Sequence, residues 1–201
     1  MENAVGKNAV GILGGSFDPV HIAHLAVART ALVELKLAKV LWIPSGTPPH
    51  RQTPTAPAVK RAAMVALAIA GEPRFVLDER EIRKAAPGYT VETLEDLRAE
   101  LGPQAELVLL IGADQHARLN TWRRWEELFG LARIAVFARP GLKLDDAQRV
   151  SVVPMAPLDI SSTAIRERIA QGESVRGLMP DAVLDYIETN HLYTSQERRT
   201  R

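Results

Sequence analysis

The chain has 201 residues, 46% of them hydrophobic and 24% charged, which is enough for one well-buried domain and ordinary for a globular protein rather than a disordered one. Twenty-five basic residues against 24 acidic leave a net charge of +1, which excludes the broad basic field of a nonspecific nucleic-acid binder, so any phosphate affinity has to be local. The absence of cysteine excludes disulfides, thiolate metal sites and a cysteine nucleophile; with no signal-peptide build at the start and no apolar run of membrane length, the expectation is a cytoplasmic enzyme without membrane or nucleic-acid partners.

Ala9 to Leu13 is a short apolar run bounded by glycines, as a buried parallel strand is, although periodicity alone does not separate it from a buried helix. Gly14 and Gly15 follow and allow the backbone to turn and approach a ligand. Asp18-Pro19 reads as a helix start, with the carboxylate capping free amides and the proline in the first helical position, which predicts a helix from about Pro19 to Lys36. On that helix His21 and His24 share one face near the positive end of the dipole. With the glycine and first-turn amides they would form a surface suited to an anion above the strand's carboxyl end. Taken as metal ligands, the two histidines lack the His-Glu-x-x-His spacing of the zinc proteases.

A second strand is predicted over Lys39 to Pro44, followed by a proline- and threonine-rich loop from Ser45 to Pro57 that carries His50 and Arg51 and is long for a plain connection. Then come an alanine-rich helix from Ala58 to Ala70, a strand from Arg74 to Asp78, a polar stretch, and a helix from Val91 to Leu101. Leu107 to Ile111 is the strongest apolar run and reads as a central strand delivering Gly112, Ala113 and Asp114 at its carboxyl end. Trp122, Trp125, Leu128 and Phe129 are expected on one following helix, their aromatics serving either the core or a ligand platform. Ala132 to Ala138 and Val150 to Met155 are the last predicted strands. Two helices then follow, one from Ser161 to Gly172 and one from Pro180 to Thr189, before a polar, arginine-rich tail from Thr194 that is expected to be disordered. The alternation of strand and helix predicts an α/β fold, a Rossmann-like doubly wound parallel sheet with a small C-terminal helical part, in a single domain.

Ile160 to Arg166 has a logic of its own. Ser161 is placed to cap a helix whose first-turn amides, at Ser162 and Thr163, are left free, while Arg166 is either a solvated surface charge or a planar clamp for phosphate oxygens.

The run Gly14-Gly15-Ser16-Phe17-Asp18-Pro19-Val20-His21-Ile22-Ala23-His24 resembles the GGxFDPxHxGH signature of the nucleotidyltransferase superfamily, and Ile160-Ser161-Ser162-Thr163-Ala164-Ile165-Arg166 resembles its ISSTxIR signature. Ala23 departs from the family glycine between the histidines. The motifs between the two signatures, including Pro48-Pro49-His50, Tyr89-Thr90, Gly112-Ala113-Asp114, Trp122 and Arg139-Pro140-Gly141, are similar to those of the bacterial nicotinate-nucleotide adenylyltransferases. There is no Walker motif and no G-x-G-x-x-G.

The resemblance implies transfer of an adenylyl group from ATP to nicotinate mononucleotide, with His21, His24 and Arg166 on the triphosphate and Mg²⁺ carried by ATP. It implies further nucleotide contacts at Gly14, Gly15, Ser16, Phe17, Gly112, Asp114, Arg139, Ser161, Ser162 and Thr163. It places the acceptor on Tyr89, Thr90 and Trp122, with His50 and Arg51 nearby, and implies no protein-held metal. A histidine among phosphates is expected to lean toward its protonated form. Self-association is left open by the sequence.

Overall fold

Six of the apolar runs become strands: β1 (Val10–Gly15), β2 (Lys39–Pro44), β3 (Phe75–Leu77), β4 (Leu107–Gly112), β5 (Arg133–Ala138) and β6 (Ser151–Pro154). They form one sheet in the order β3-β2-β1-β4-β5-β6, and every pairing is parallel. Parallel neighbours need crossover connections. Up to β5 these run through α1 (Ile22–Glu34), α2 (Ala58–Ile69), α3 (Arg80–Arg83), α4 (Thr90–Leu101), α5 (Ala113–His116) and α6 (Leu128–Leu131), and α7 (Ser162–Ala170) and α8 (Asp181–Thr189) follow the last strand. The computed structural model describes residues 9–46, 55–84, 88–138, 149–156 and 158–194.

Both faces of the sheet are covered, which is why its strands read as nearly unbroken apolar runs. On one face Leu13, Val40, Trp42 and Val108 pack with Leu25 and Leu32 of α1, Met64 and Val65 of α2, Ile165 of α7 and Val183 of α8. On the other, Val10, Ile12, Leu41 and Leu109 pack with Val91, Leu94 and Leu97 of α4 and Leu128 of α6. The chain winds outward from β1 in one direction and from β4 in the other, so these adjacent strands mark the switch point. A crevice for ligands is expected beyond their carboxyl ends.

Two expectations are corrected. Helix α1 begins at Ile22 with His21 as its N-cap, not at Pro19, because the Asp18 carboxylate is engaged elsewhere. The segment from Trp122 to Phe129 is not one helix. Two 3₁₀ turns, Leu119–Thr121 and Trp125–Glu127, precede α6, and Arg124 between them has a left-handed φ of 52°, which a continuing helix does not tolerate. No helix among the described residues is long and apolar enough to cross a membrane. The expected tail beyond Thr194 falls outside the described residues.

Candidate active site

Gly14 and Gly15 continue β1 rather than forming a turn, paired in register with Ile43 and Pro44 of β2. A Cβ added at Gly14 would meet no protein atom within 4 Å, whereas one at Gly15 would lie 3.2 Å from the Phe17 ring. The left-handed residue of the turn is Phe17, at φ 49°. Its ring is 1% exposed and packs 5.0 Å from the His24 ring and 5.5 Å from Trp42. The Phe17 side chain therefore belongs to the core and anchors the turn, leaving only its backbone available to a ligand.

His21 caps α1, and His24, three residues on, lies in its first turn. The two rings stand 3.8 Å apart and 30° from parallel, and the His21 amide donates to His24 Nδ1 at 3.3 Å. That bond orients the His24 imidazole. His21 is buried, and its Nδ1 finds no hydrogen-bond partner among the described residues. Loss of hydration pushes the His21 pKa down to about 4. In the protein alone His21 is thus neutral near pH 7, while the expected lean toward protonation concerns an imidazole with phosphates beside it.

Asp18 is the hub of the site and is 3% exposed. Its Oδ2 accepts from the Thr55 amide at 2.7 Å, and its Oδ1 accepts from the Ala56 amide at 3.0 Å and the Tyr193 hydroxyl at 2.8 Å. Burial beside this carboxylate pushes the Tyr193 phenol well above its ordinary pKa. The Asp18 carbonyl accepts from Arg166 Nη1 at 2.7 Å, and the same nitrogen lies 3.8 Å from Oδ2. Ser161 caps α7 as expected, accepting from the Ala164 amide at 3.2 Å, and Ser162 Oγ donates to the Pro19 carbonyl at 2.9 Å. Two motifs far apart in sequence are thereby bonded directly together, with Thr163 exposed beside them and 3.4 Å from Arg166 Nη2.

Arg61 of α2 was not singled out by the sequence, where an arginine in an alanine-rich helix reads as surface. It is 1% exposed and inserts between three segments. Nη1 donates to the Ser16 carbonyl at 2.6 Å, Nη2 to the Ser45 and Gly46 carbonyls at 2.6 and 3.1 Å, and Nε to the Ala56 carbonyl at 3.1 Å. Five fixed donors in a planar fork suit such a convergence of carbonyls.

Beyond the carboxyl ends of β1 and β4 lies a cavity of about 130 Å³ whose lining includes Gly14, Gly15 and Ser16 together with Tyr89, Thr90 and Trp122. The same cavity is lined by Glu81, Thr93, Gln115 and Arg123, which the sequence did not point to as site residues. The Arg123 guanidinium lies 4.6 Å from the centre of the Tyr89 ring, a cation–π distance. Glu81 accepts from Thr93 Oγ1 at 2.8 Å, and burial raises its pKa. The Glu81 carboxylate and backbone fill the space that a Cβ at Gly88 or Gly46 would need, at 2.6 and 2.3 Å.

Of the remaining expected residues, Gly112 donates its amide to Gln115 Oε1 at 3.1 Å, while Asp114 is exposed on α5 and does not line the cavity. His50, Arg51 and Arg139 lie outside the described residues.

The cytidylyltransferase-like family model matches residues 12–168. Among curated relatives, "Probable nicotinate-nucleotide adenylyltransferase" of Laribacter hongkongensis is 45% identical over 94% of this chain and 96% of the relative. The protein of the same name from Chromobacterium violaceum is 47% identical over 92% of this chain and 98% of its own length. Among solved structures, the Plasmodium falciparum nicotinic acid mononucleotide adenylyltransferase complexed with NaAD superposes with a TM-score of 0.78 at 18% identity, covering 92% of this chain and 97% of that one. At that identity the likeness speaks for the fold, and the family rests on the sequence relatives. The chain belongs to the cytidylyltransferase-like family and, within it, to the nicotinate-nucleotide adenylyltransferases.

Proposed function

We propose that this chain transfers the adenylyl group of ATP to nicotinate mononucleotide, giving nicotinate adenine dinucleotide and pyrophosphate, with the cytoplasm as its compartment. The observation that carries the reading is the shared cavity: Gly14, Gly15 and Ser16 of the phosphate turn line the same space as Tyr89, Thr90 and Trp122. An acceptor ring held against Trp122 thus sits beside the turn that would hold the α-phosphate.

The acceptor's phosphate oxygen attacks the α-phosphorus of ATP as the bond to the β-phosphate oxygen breaks. Pyrophosphate leaves with the electron pair, and no side chain becomes a nucleophile. Catalysis then consists of positioning and charge stabilisation. His21 and His24 at the amino end of α1 take the α- and β-phosphates, and Arg166 takes the β- and γ-phosphates. Ser161 and Ser162 are used in holding α7 in place, so the first-turn amides and Thr163 remain as the donors there. Trp122 stacks on the pyridine ring, and Tyr89 and Thr90 frame its carboxylate.

Asp18, the acidic residue of the first signature, has its oxygens engaged by Thr55, Ala56 and Tyr193, which suits a scaffold rather than a metal ligand. Mg²⁺ accordingly arrives on the ATP phosphates as part of the substrate.

The test is pyrophosphate release with ATP and Mg²⁺, offering nicotinate mononucleotide, nicotinamide mononucleotide and phosphopantetheine separately. Release with the nicotinate acceptor is expected. Release with phosphopantetheine alone, or with no acceptor despite ATP binding, would overturn the reading.

A further inference from the structure

Tyr193 comes from the end of the chain's described residues, and its hydroxyl reaches the heart of the first signature. The approach is built at some backbone cost: His191 and Tyr193 both adopt left-handed φ angles, 51° and 65°, which side chains other than glycine adopt reluctantly. Leu192 between them is 1% exposed and Tyr193 3% exposed, so the turn after α8 drives two side chains into the core.

A phenylalanine would fill the same apolar space, so packing alone does not account for the hydroxyl. Its use is the 2.8 Å bond to Asp18 Oδ1, buried and spanning 175 positions of sequence. Among the described residues Asp18 is also met by the amides of Thr55 and Ala56, by the edge of Arg166, 3.8 Å away, and by the field of the buried Arg61 guanidinium. The backbone carbonyl of the same residue holds Arg166 Nη1 at 2.7 Å. Any tilt of the Asp18 peptide therefore moves the guanidinium.

We propose that Tyr193 is a positioning residue for nucleotide binding: its hydroxyl fixes Asp18, and Asp18 in turn sets the Arg166 guanidinium against the ATP phosphates. The inference rests on the reading of Arg166 as a phosphate clamp and extends it to the carboxyl-terminal segment. The same bond ties the exit of the 45–57 loop, through Thr55 and Ala56, to the same anchor. Tyr193 thus couples three segments, the first signature, the loop exit and α7, at one carboxylate.

The experiment is Tyr193→Phe, with ATP affinity measured by calorimetry alongside kcat and KM for each substrate. A charge-assisted bond contributes enough that ATP affinity and kcat/KM for ATP are expected to fall by about tenfold, with KM for nicotinate mononucleotide changed by less than about twofold. In an Arg166→Lys background the same substitution should cost little more, because the effect runs through Arg166. A lowered thermal midpoint with unchanged ATP affinity per folded molecule, or full additivity with Arg166→Lys, would overturn the proposal. Should Tyr193→Phe fail to fold, Asp18→Asn carries the test with the same expected split. Wild-type protein that binds ATP without transferring it would count against the proposed reaction, while the calorimetric comparison would still decide the role of Tyr193.

Discussion

Arg61 Nη1 donates to the Ser16 carbonyl at 2.6 Å, so the turn after β1 is held by a buried guanidinium of α2. The remaining donors of that side chain fix Ser45, Gly46 and Ala56, on either side of the 45–57 loop. Burial alone disfavours its charge, and Asp18 and Tyr193 offset part of that cost. Arg61→Met keeps the apolar stem and strands four carbonyls. It is expected to cost about 3 kcal/mol or more in urea unfolding, since each buried acceptor left unpaired costs about 1–3 kcal/mol. Arg61→Lys recovers only part of this, because one ammonium cannot match the fork. Wild-type stability in Arg61→Met would contradict the assignment.

His21 gives stability a pH dependence of definite sign. The unfolded chain takes up the imidazole proton as pH falls through about 6.5, but the folded chain does so only near 4, because burial disfavours the charged ring. Stability from this group is fully present above about 6.5 and is lost progressively down to about 4, by on the order of 3 kcal/mol. The unfolding free energy of wild type should therefore fall relative to that of His21→Gln as pH falls through that window. A constant difference between them from pH 7 to 4 would show that His21 titrates normally.

At Gly14 the protein and the ligand make separate demands. An added Cβ touches no protein atom, so Gly14→Ala should leave stability within about 0.5 kcal/mol of wild type. The methyl would project into space the substrates need, because Gly14 lines the cavity. Turnover is expected to fall at least about tenfold. A variant that keeps full activity would remove Gly14 from the site.

Trp122 lines the cavity and is only partly buried, unlike Trp42, which is wholly core. Trp122→Ala is expected to raise KM for nicotinate mononucleotide by about tenfold, the order expected when stacking on an aromatic side chain is lost, with ATP affinity unchanged. Equal effects on both substrates would instead mean that the cavity has collapsed.

The sheet was legible because strands buried on both faces carry unbroken apolar runs, and five of the six predicted strands match within one residue at each end, while β1 runs on two residues further, through Gly14 and Gly15. The first turn was harder to read. Asp18-Pro19 has the local chemistry of a helix start, but long-range donors at Thr55, Ala56 and Tyr193 claim the carboxylate, and the cap passes to His21. The spacing of Trp122, Trp125 and Leu128 fits an α-helix and a 3₁₀ turn equally well, so nothing local revealed the break at Arg124. Arg61 and Tyr193 were missed for the same reason as the cap. Their partners lie in segments that only the folded chain brings together, and an arginine in a helix or a tyrosine near a terminus carries no local signal of that.

The most direct measurement is the rate of nicotinate adenine dinucleotide formation from ATP, Mg²⁺ and nicotinate mononucleotide by wild type and by His24→Ala, with the fold of the variant checked by circular dichroism. The wild type is expected to form the dinucleotide with stoichiometric pyrophosphate, and the variant to turn over about 10²- to 10³-fold more slowly with its fold intact. Near-wild-type turnover in folded His24→Ala would contradict the account.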